Sequence, residues 1–217
     1  MFNQFINPLL SVGIVFVILL VSEFLWTIRE LRGEMSRKFV HMMVGTFVAF
    51  WPFFMTWRAI QVISVAFLVV VLITRRLHIF RAIYAVRRYS YGEPLFAVAI
   101  GLAAVMTHSK WVFAAAVLHL SLADGLAALI GVRFGKQRRN IIFGHYKSIV
   151  GTVAFWVVSF IIITTIAVLS GSGFTGTWPI ILWLPTITAL IENMSTFGLD
   201  NLAVPLLIVA VLNPLLR

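Results

Sequence analysis

An all-α, polytopic membrane bundle of about seven to eight spans is the fold class this sequence predicts, and three observations carry it. Hydrophobic residues make up 61% of the 217 and charged residues only 11%, which leaves more apolar surface than a soluble domain can bury. The apolar residues fall into runs near the length of about 20 that crosses a hydrocarbon core, parted by short polar breaks. The basic residues gather in alternate breaks rather than in all of them. No hydrophilic stretch is long enough to fold alone, so residues 1–217 read as one integral-membrane domain. A net charge of +10 would suggest nucleic acid in a soluble protein. Here the cations sit beside apolar spans and point instead to topology, membrane lipids and nucleotide phosphates. The absence of cysteine excludes disulfides, thiolate metal sites and cysteine nucleophiles.

The first run, roughly 8–27, is long for a signal-peptide core and has no basic leader, so it reads as a retained span. The next runs are 39–57 and 59–74, then a short one at 94–108 with the length of a half-span. Four more follow at 111–131, 149–169, 179–196 and 202–216. Arg29, Arg32, Arg37 and Lys38 follow the first span, and Arg75, Arg76, Arg81, Arg87 and Arg88 the third. Arg133, Lys136, Arg138, Arg139 and Lys147 follow the fifth, on a basic loop. Two spans separate successive clusters, so the three loops share one face, which their charge makes cytoplasmic with the N-terminus outside. Residues 74–89 mix these arginines with Leu77, Ile79, Phe80, Ile83 and Tyr84, the pattern of an amphipathic helix lying on that face. Trp51, Trp57, Trp111, Trp178 and Trp183 fit an aromatic belt at the opposite interface.

The same count brings the rare acids to one depth. Asp124 lies about two turns inside the cytoplasmic end of span five, and Glu192 near that end of span seven. Asp200-Asn201 falls in the following turn, and Glu93 just before span four. An acid within an apolar run is costly unless it faces protein, water or a metal, so Asp124 reads as functional; pairing with Lys147 or Arg133 is the structural alternative. Glu192, Asp200 and Asn201 add the oxygen donors a hard cation takes. Arg37 and His41 are four residues apart on one helical face with Lys38 beside them, a set suited to polyphosphate, although the spacing alone favours slightly the plainer reading of a stop-transfer basic doublet with a histidine at the interface. Small residues at Gly125, Ala127, Ala128 and Gly131 admit a close backbone or ligand.

These clusters resemble the CTP-dependent polyprenol kinases, a family that includes phytol kinase, dolichol kinase and the CTP-dependent diacylglycerol kinases. The resemblance runs through RKFVH (Arg37 to His41), YGE (Tyr91 to Glu93), DGLAALIGVRFG (Asp124 to Gly135), KSIVGT (Lys147 to Thr152), and Glu192 with DNLAVP (Asp200 to Pro205). It implies that Arg37, Lys38, Asp124 and Gly131 occupy signature positions, and that CTP with magnesium is the phosphoryl donor to a lipid alcohol. One departure is Leu199, where phytol-kinase-like sequences often carry a further Asp. The related cytidylyltransferases generally have Ser-Pro before the lysine, where this chain has His145-Tyr146.

On this reading Arg37, Lys38 and Lys147 hold the triphosphate, with Arg133 and Lys136 in support and Gly131, Gly135, Ser148 and Gly151 shaping its cradle. Asp124, Glu192 and Asp200 take magnesium, one of them also accepting the alcohol's proton, while His41 and Asn201 complete the shell and Glu93 is a further candidate. Phosphatidate cytidylyl transfer or diacylglycerol phosphorylation is the neighbouring alternative. A small transporter relaying ions through Glu23, Asp124 and Glu192 is the alternative of another class. Assembly into an oligomer is compatible with the pattern.

Overall fold

A helix buried on nearly every side has to be the axis of a membrane bundle, and Lys110–Phe134 is that helix. In the computed structural model, which describes residues 3–28, 34–77, 91–135, 139–142, 145–171 and 178–216, 72% of its apolar stretch is covered by neighbours, against 11% for Ile6–Thr27. The order is α1 (Asn3–Thr27), α2 (Glu34–Ala49), a 3-10 turn (Trp51–Phe53), α3 (Trp57–Leu77), α4 (Gly92–Met106) and α5 (Lys110–Phe134). A hairpin of β1 (Arg139–Ile142) and β2 (His145–Ser148) follows, then α6 (Ile149–Leu169), α7 (Trp178–Met194) and α8 (Asp200–Leu212). α5 packs against α2, α6 and α8, while α3 lies on α4 and α1 lies against α2 at the rim. Leu9, Leu10 and Phe24 on α1 and Val62 and Val65 on α3 are exposed, as side chains meeting lipid must be.

Contacts at the two ends fix the antiparallel arrangement. At one end Asn7 donates to the Phe54 carbonyl (2.6 Å), Thr107 donates to Asn213 Oδ1 (2.7 Å) and the Lys110 ammonium lies 5.7 Å from the Phe53 ring. At the other, the basic end, the Tyr91 amide donates to the Phe197 carbonyl (2.9 Å) and the Arg75 guanidinium lies 5.0 Å from the Tyr91 ring.

Eight helices among the described residues match the eight apolar runs, but they are not equally long. Four are long and apolar enough to cross a membrane: Ile6–Thr27, Trp57–Leu77, Lys110–Phe134 and Ile149–Leu169. The others, of 13 to 17 residues, rise about 20–25 Å at 1.5 Å per residue, short of a hydrocarbon core of about 30 Å. α2 stops at Ala49 instead of running to 57, because Pro52 has no amide proton to continue a helix and instead opens the 3-10 turn. Trp51 is 4% exposed and packs on Phe47 at 6.3 Å, so it belongs to the core and not to an interfacial belt. α3 carries Thr74, Arg75 and Arg76 as its own last turns; the remainder of the expected surface helix, 78–90, lies outside the described residues. The basic loop is in part an antiparallel hairpin, with Arg139 opposite Ser148 and Ile142 opposite His145.

Two seams of small residues decide how close the central helices come. Between α2 and α5, a Cβ at Gly125 would collide with Met42 and one at Gly45 with Ser121. Between α5 and α6, a Cβ at Gly151 would stand 2.9 Å from the Ala127 carbonyl oxygen and 3.0 Å from Ser148 Oγ. Gly151→Leu should therefore lower the melting temperature in detergent, overpacking of this kind costing about 1–3 kcal/mol. Gly13→Leu, with nothing within 4 Å of the added carbon, should leave it unchanged; equal melting of the two variants would contradict the seam.

Candidate active site

The α2–α5 seam ends at the basic end in a buried ion pair. Lys38, 6% exposed, donates its ammonium to Asp124 Oδ2, and Asp124 is itself 7% exposed. Because consecutive helical residues diverge by about 100°, Arg37 faces elsewhere and its Nη1 meets Glu93 Oε1 on α4 at 3.5 Å. His41 Nε2 lies 2.7 Å from the Leu120 carbonyl oxygen and 3.6 Å from Asp124 Oδ2. A π-helical turn, His119–Ala123, stands directly before Asp124 within α5. One extra residue in a turn rotates everything after it by about 100°, so this turn determines which neighbour Asp124 faces.

Two further carboxylates arrive from other helices. Asp124, Glu192 on α7 and Asp200 at the start of α8 have carboxylate oxygens within 4.8 Å of one another. Lys147, last but one in β2, donates to Glu192 Oε1 and to the Glu192 carbonyl oxygen (2.8 Å). The turn between α7 and α8 brings Glu192 and Asp200 together. Phe197 takes a left-handed φ of 56° there, beside Gly198 at 87°, a conformation that costs a non-glycine residue free energy and is held by its surroundings. Asn201 donates Nδ2 to the Gly92 carbonyl (2.8 Å), fixing the start of α8 to the start of α4.

The local balance is three carboxylates against two ammonium groups, with an Arg37–Glu93 pair alongside. Opposite ligands of a magnesium ion stand about 4.2 Å apart, twice its usual oxygen distance of about 2.1 Å. Neighbouring ligands stand about 3 Å apart, so the three carboxylates, whose oxygens lie within 4.8 Å of one another, could hold a hard divalent cation by closing inward on it.

Of the residues expected at the site, Arg37, Lys38, His41, Glu93, Asp124, Lys147, Glu192 and Asp200 meet at this end of the bundle. Asp124 pairs with Lys38 and not with Lys147 or Arg133, the partners named in the structural alternative. Arg133 is exposed at the end of α5, its guanidinium 5.5 Å from the Phe134 ring, and joins no ion pair among the described residues. Lys136 lies outside the described residues. Gly131, Gly135 and Gly151 all surround Ser148, whose Oγ accepts the Gly151 amide (3.0 Å) and caps α6. These small residues seat the hairpin's last strand and α6 on α5, which is how Lys147 reaches Glu192.

One feature of the site had no signal in the sequence. An apolar groove opens between α1, α2, α3 and α4, with about 670 Å³ of empty space, its open mouth included. Arg37, His41 and Glu93 form its polar end. His41 is thus shared: its ring packs on Phe96 of the groove (4.7 Å between centroids) while its nitrogen faces α5.

No family model matches the chain, and no solved structure matches it. Among curated proteins it is 34% identical over 197 residues to phytol kinase from Synechocystis sp., a match covering 87% of this chain and 82% of the relative. A likeness of that extent, in a chain whose five motifs meet at one end of a helical bundle, has one reading: the chain belongs to the polyprenol kinase family that includes phytol kinase.

Proposed function

We propose that the chain transfers the terminal phosphate of CTP to the hydroxyl of a membrane-resident isoprenoid alcohol of the phytol, farnesol or polyprenol type, with magnesium, at the cytoplasmic interface. The observation that carries this is the meeting of Asp124, Glu192 and Asp200 within 4.8 Å beside two lysines. Phosphoryl transfer needs placement and charge neutralisation more than covalent help from the protein. Asp124, Glu192 and Asp200 would hold the magnesium ion, which bound there offsets the charge of the phosphates. Lys38 and Lys147, each already on a carboxylate of the cluster, stand where phosphate oxygens would be received, and Arg37 adds a bidentate donor at the rim. The alcohol oxygen forms its bond to the terminal phosphorus as the bond from that phosphorus to the bridging oxygen breaks. CDP leaves, and the hydroxyl proton passes to a carboxylate of the cluster.

The basic clusters support a cytoplasmic placement of this end and a multi-pass chain with its N-terminus outside. The cysteine-free sequence makes that directly testable. In sealed cells, His108→Cys should react with an impermeant maleimide from outside, whereas Leu199→Cys, exposed at the basic end, should react only after permeabilisation. The reverse pattern would place the site on the other side.

The reaction itself is tested with purified protein, magnesium, phytol and CTP labelled in either the terminal or the innermost phosphate. Terminal label should enter the lipid, a chelator should abolish transfer, and Asp124→Asn should reduce it about a hundredfold or more, as loss of a transition-state charge contact does. Innermost label in the lipid would instead indicate cytidylyl transfer, and full activity of Asp124→Asn would remove that residue from the mechanism.

A further inference from the structure

The groove beside the site has a shape that bears on which alcohol is taken. Its walls are apolar, with Val40 and Val44 from α2, Phe67 and Val70 from α3, and Phe96 from α4. Arg37, His41 and Glu93 close its polar end. Arg37 to Val44 spans seven residues along α2, and Thr74 to Phe67 seven residues in the opposite direction along α3. Each rises about 10 Å, so the channel descends roughly two helical turns below the acid cluster. The rings of His41, Phe96 and Phe67 run in series along it, 4.7 Å and then 6.5 Å between centroids. α1 contributes Leu19 to the lining and is otherwise largely lipid-facing, with Leu20 and Phe24 exposed, so the groove borders the membrane and not the aqueous end.

Resting on the function proposed above, we infer that this groove is the tail site of the acceptor and that it takes a single branched hydrocarbon chain, its hydroxyl at His41. Two features commit it to that occupant. The polar end is continuous with the acid cluster, since His41 both lines the groove and lies 3.6 Å from Asp124. The groove is also one channel leading from one polar end, its apolar lining drawn from four helices, so one chain can lie along its series of rings. A glyceride would have to place two chains in it. Val44 and Phe67, at the deep end, set how much of the tail lies inside before it leaves for the lipid.

The test uses the full chain in lipid nanodiscs and a phytol analogue with a diazirine partway along its chain. Photo-adducts located by mass spectrometry should fall on α2, α3 and α4 around Val44, Phe67 and Val70. Val44→Phe should raise the KM for phytol about tenfold while the KM for CTP stays the same, and Phe67→Ala, which enlarges the channel, should shift preference toward longer polyprenols. Adducts confined to α6 and α7, or diacylglycerol phosphorylated faster than phytol, would overturn the groove assignment even with kinase activity intact. Adducts in the groove without any transfer of phosphate would leave the tail site standing and sink the proposed reaction.

Discussion

A carboxylate and an ammonium held together inside a membrane bundle form the constraint from which the rest of this structure follows. Removing two such charges from water costs several kcal/mol each, and only close pairing in good geometry recovers it. Lys38 and Asp124 meet that requirement because α2 packs closely on α5. The nearness in turn requires glycine at 45 and 125, where any side chain would strike Ser121 or Met42. Small residues in membrane helices are often read as generic packing devices. Here they have a definite task, which is to let a lysine on one helix reach an acid on another.

The second seam works the same way on the other side of α5. Ser148 ends the hairpin and caps α6, enclosed by Gly131, Gly135 and Gly151, and its neighbour Lys147 is thereby carried to Glu192. The two lysines thus come from opposite flanks of one central helix onto two of three neighbouring carboxylates. No single helix could present these groups together. The site exists only when α2, α5, the hairpin, α7 and α8 are docked, which ties its chemistry to the stability of the whole bundle.

Much of this was legible in the sequence, and the parts that were not have physical reasons. Eight apolar runs gave eight helices, and the placing of Asp124, Glu192 and Asp200 at one depth followed from counting spans. Motif resemblance named the polar residues that do converge. What escaped was pairing: Asp124 takes Lys38, 86 residues away, instead of a nearer cation, because partner choice depends on rotation about the helix axis, and the π-helical turn at His119–Ala123 resets that rotation without a sequence mark. The hairpin escaped because strands of four residues carry too little periodicity to stand out in a basic stretch. Trp51 was misplaced for a related reason: a tryptophan near a helix end looks the same whether Pro52 turns it inward or leaves it at the interface. The groove could not be read at all, since a void is a property of four helices at once.

The distribution of polar groups also separates an interfacial enzyme from a transporter. The buried charges among the described residues, Lys38, Asp124 and Glu192, are confined to the basic end. Deeper in, His119 bonds the Ala115 carbonyl and Ser159, both at 2.7 Å, and Ser159 lies 3.2 Å from Thr188, which donates to the Leu184 carbonyl (2.9 Å). That chain is closed on the backbone at both ends, so it fastens α5, α6 and α7 one turn below Asp124 and Glu192 without offering a path for ions. At the far end Thr107 and Asn213 bond each other. Alternating access needs a site at mid-membrane that can open both ways. Among the described residues this bundle instead has its buried charges at one level near one end, with a hydrogen-bonded layer beneath, the arrangement that suits a reaction between a water-soluble donor and a substrate reached from the lipid.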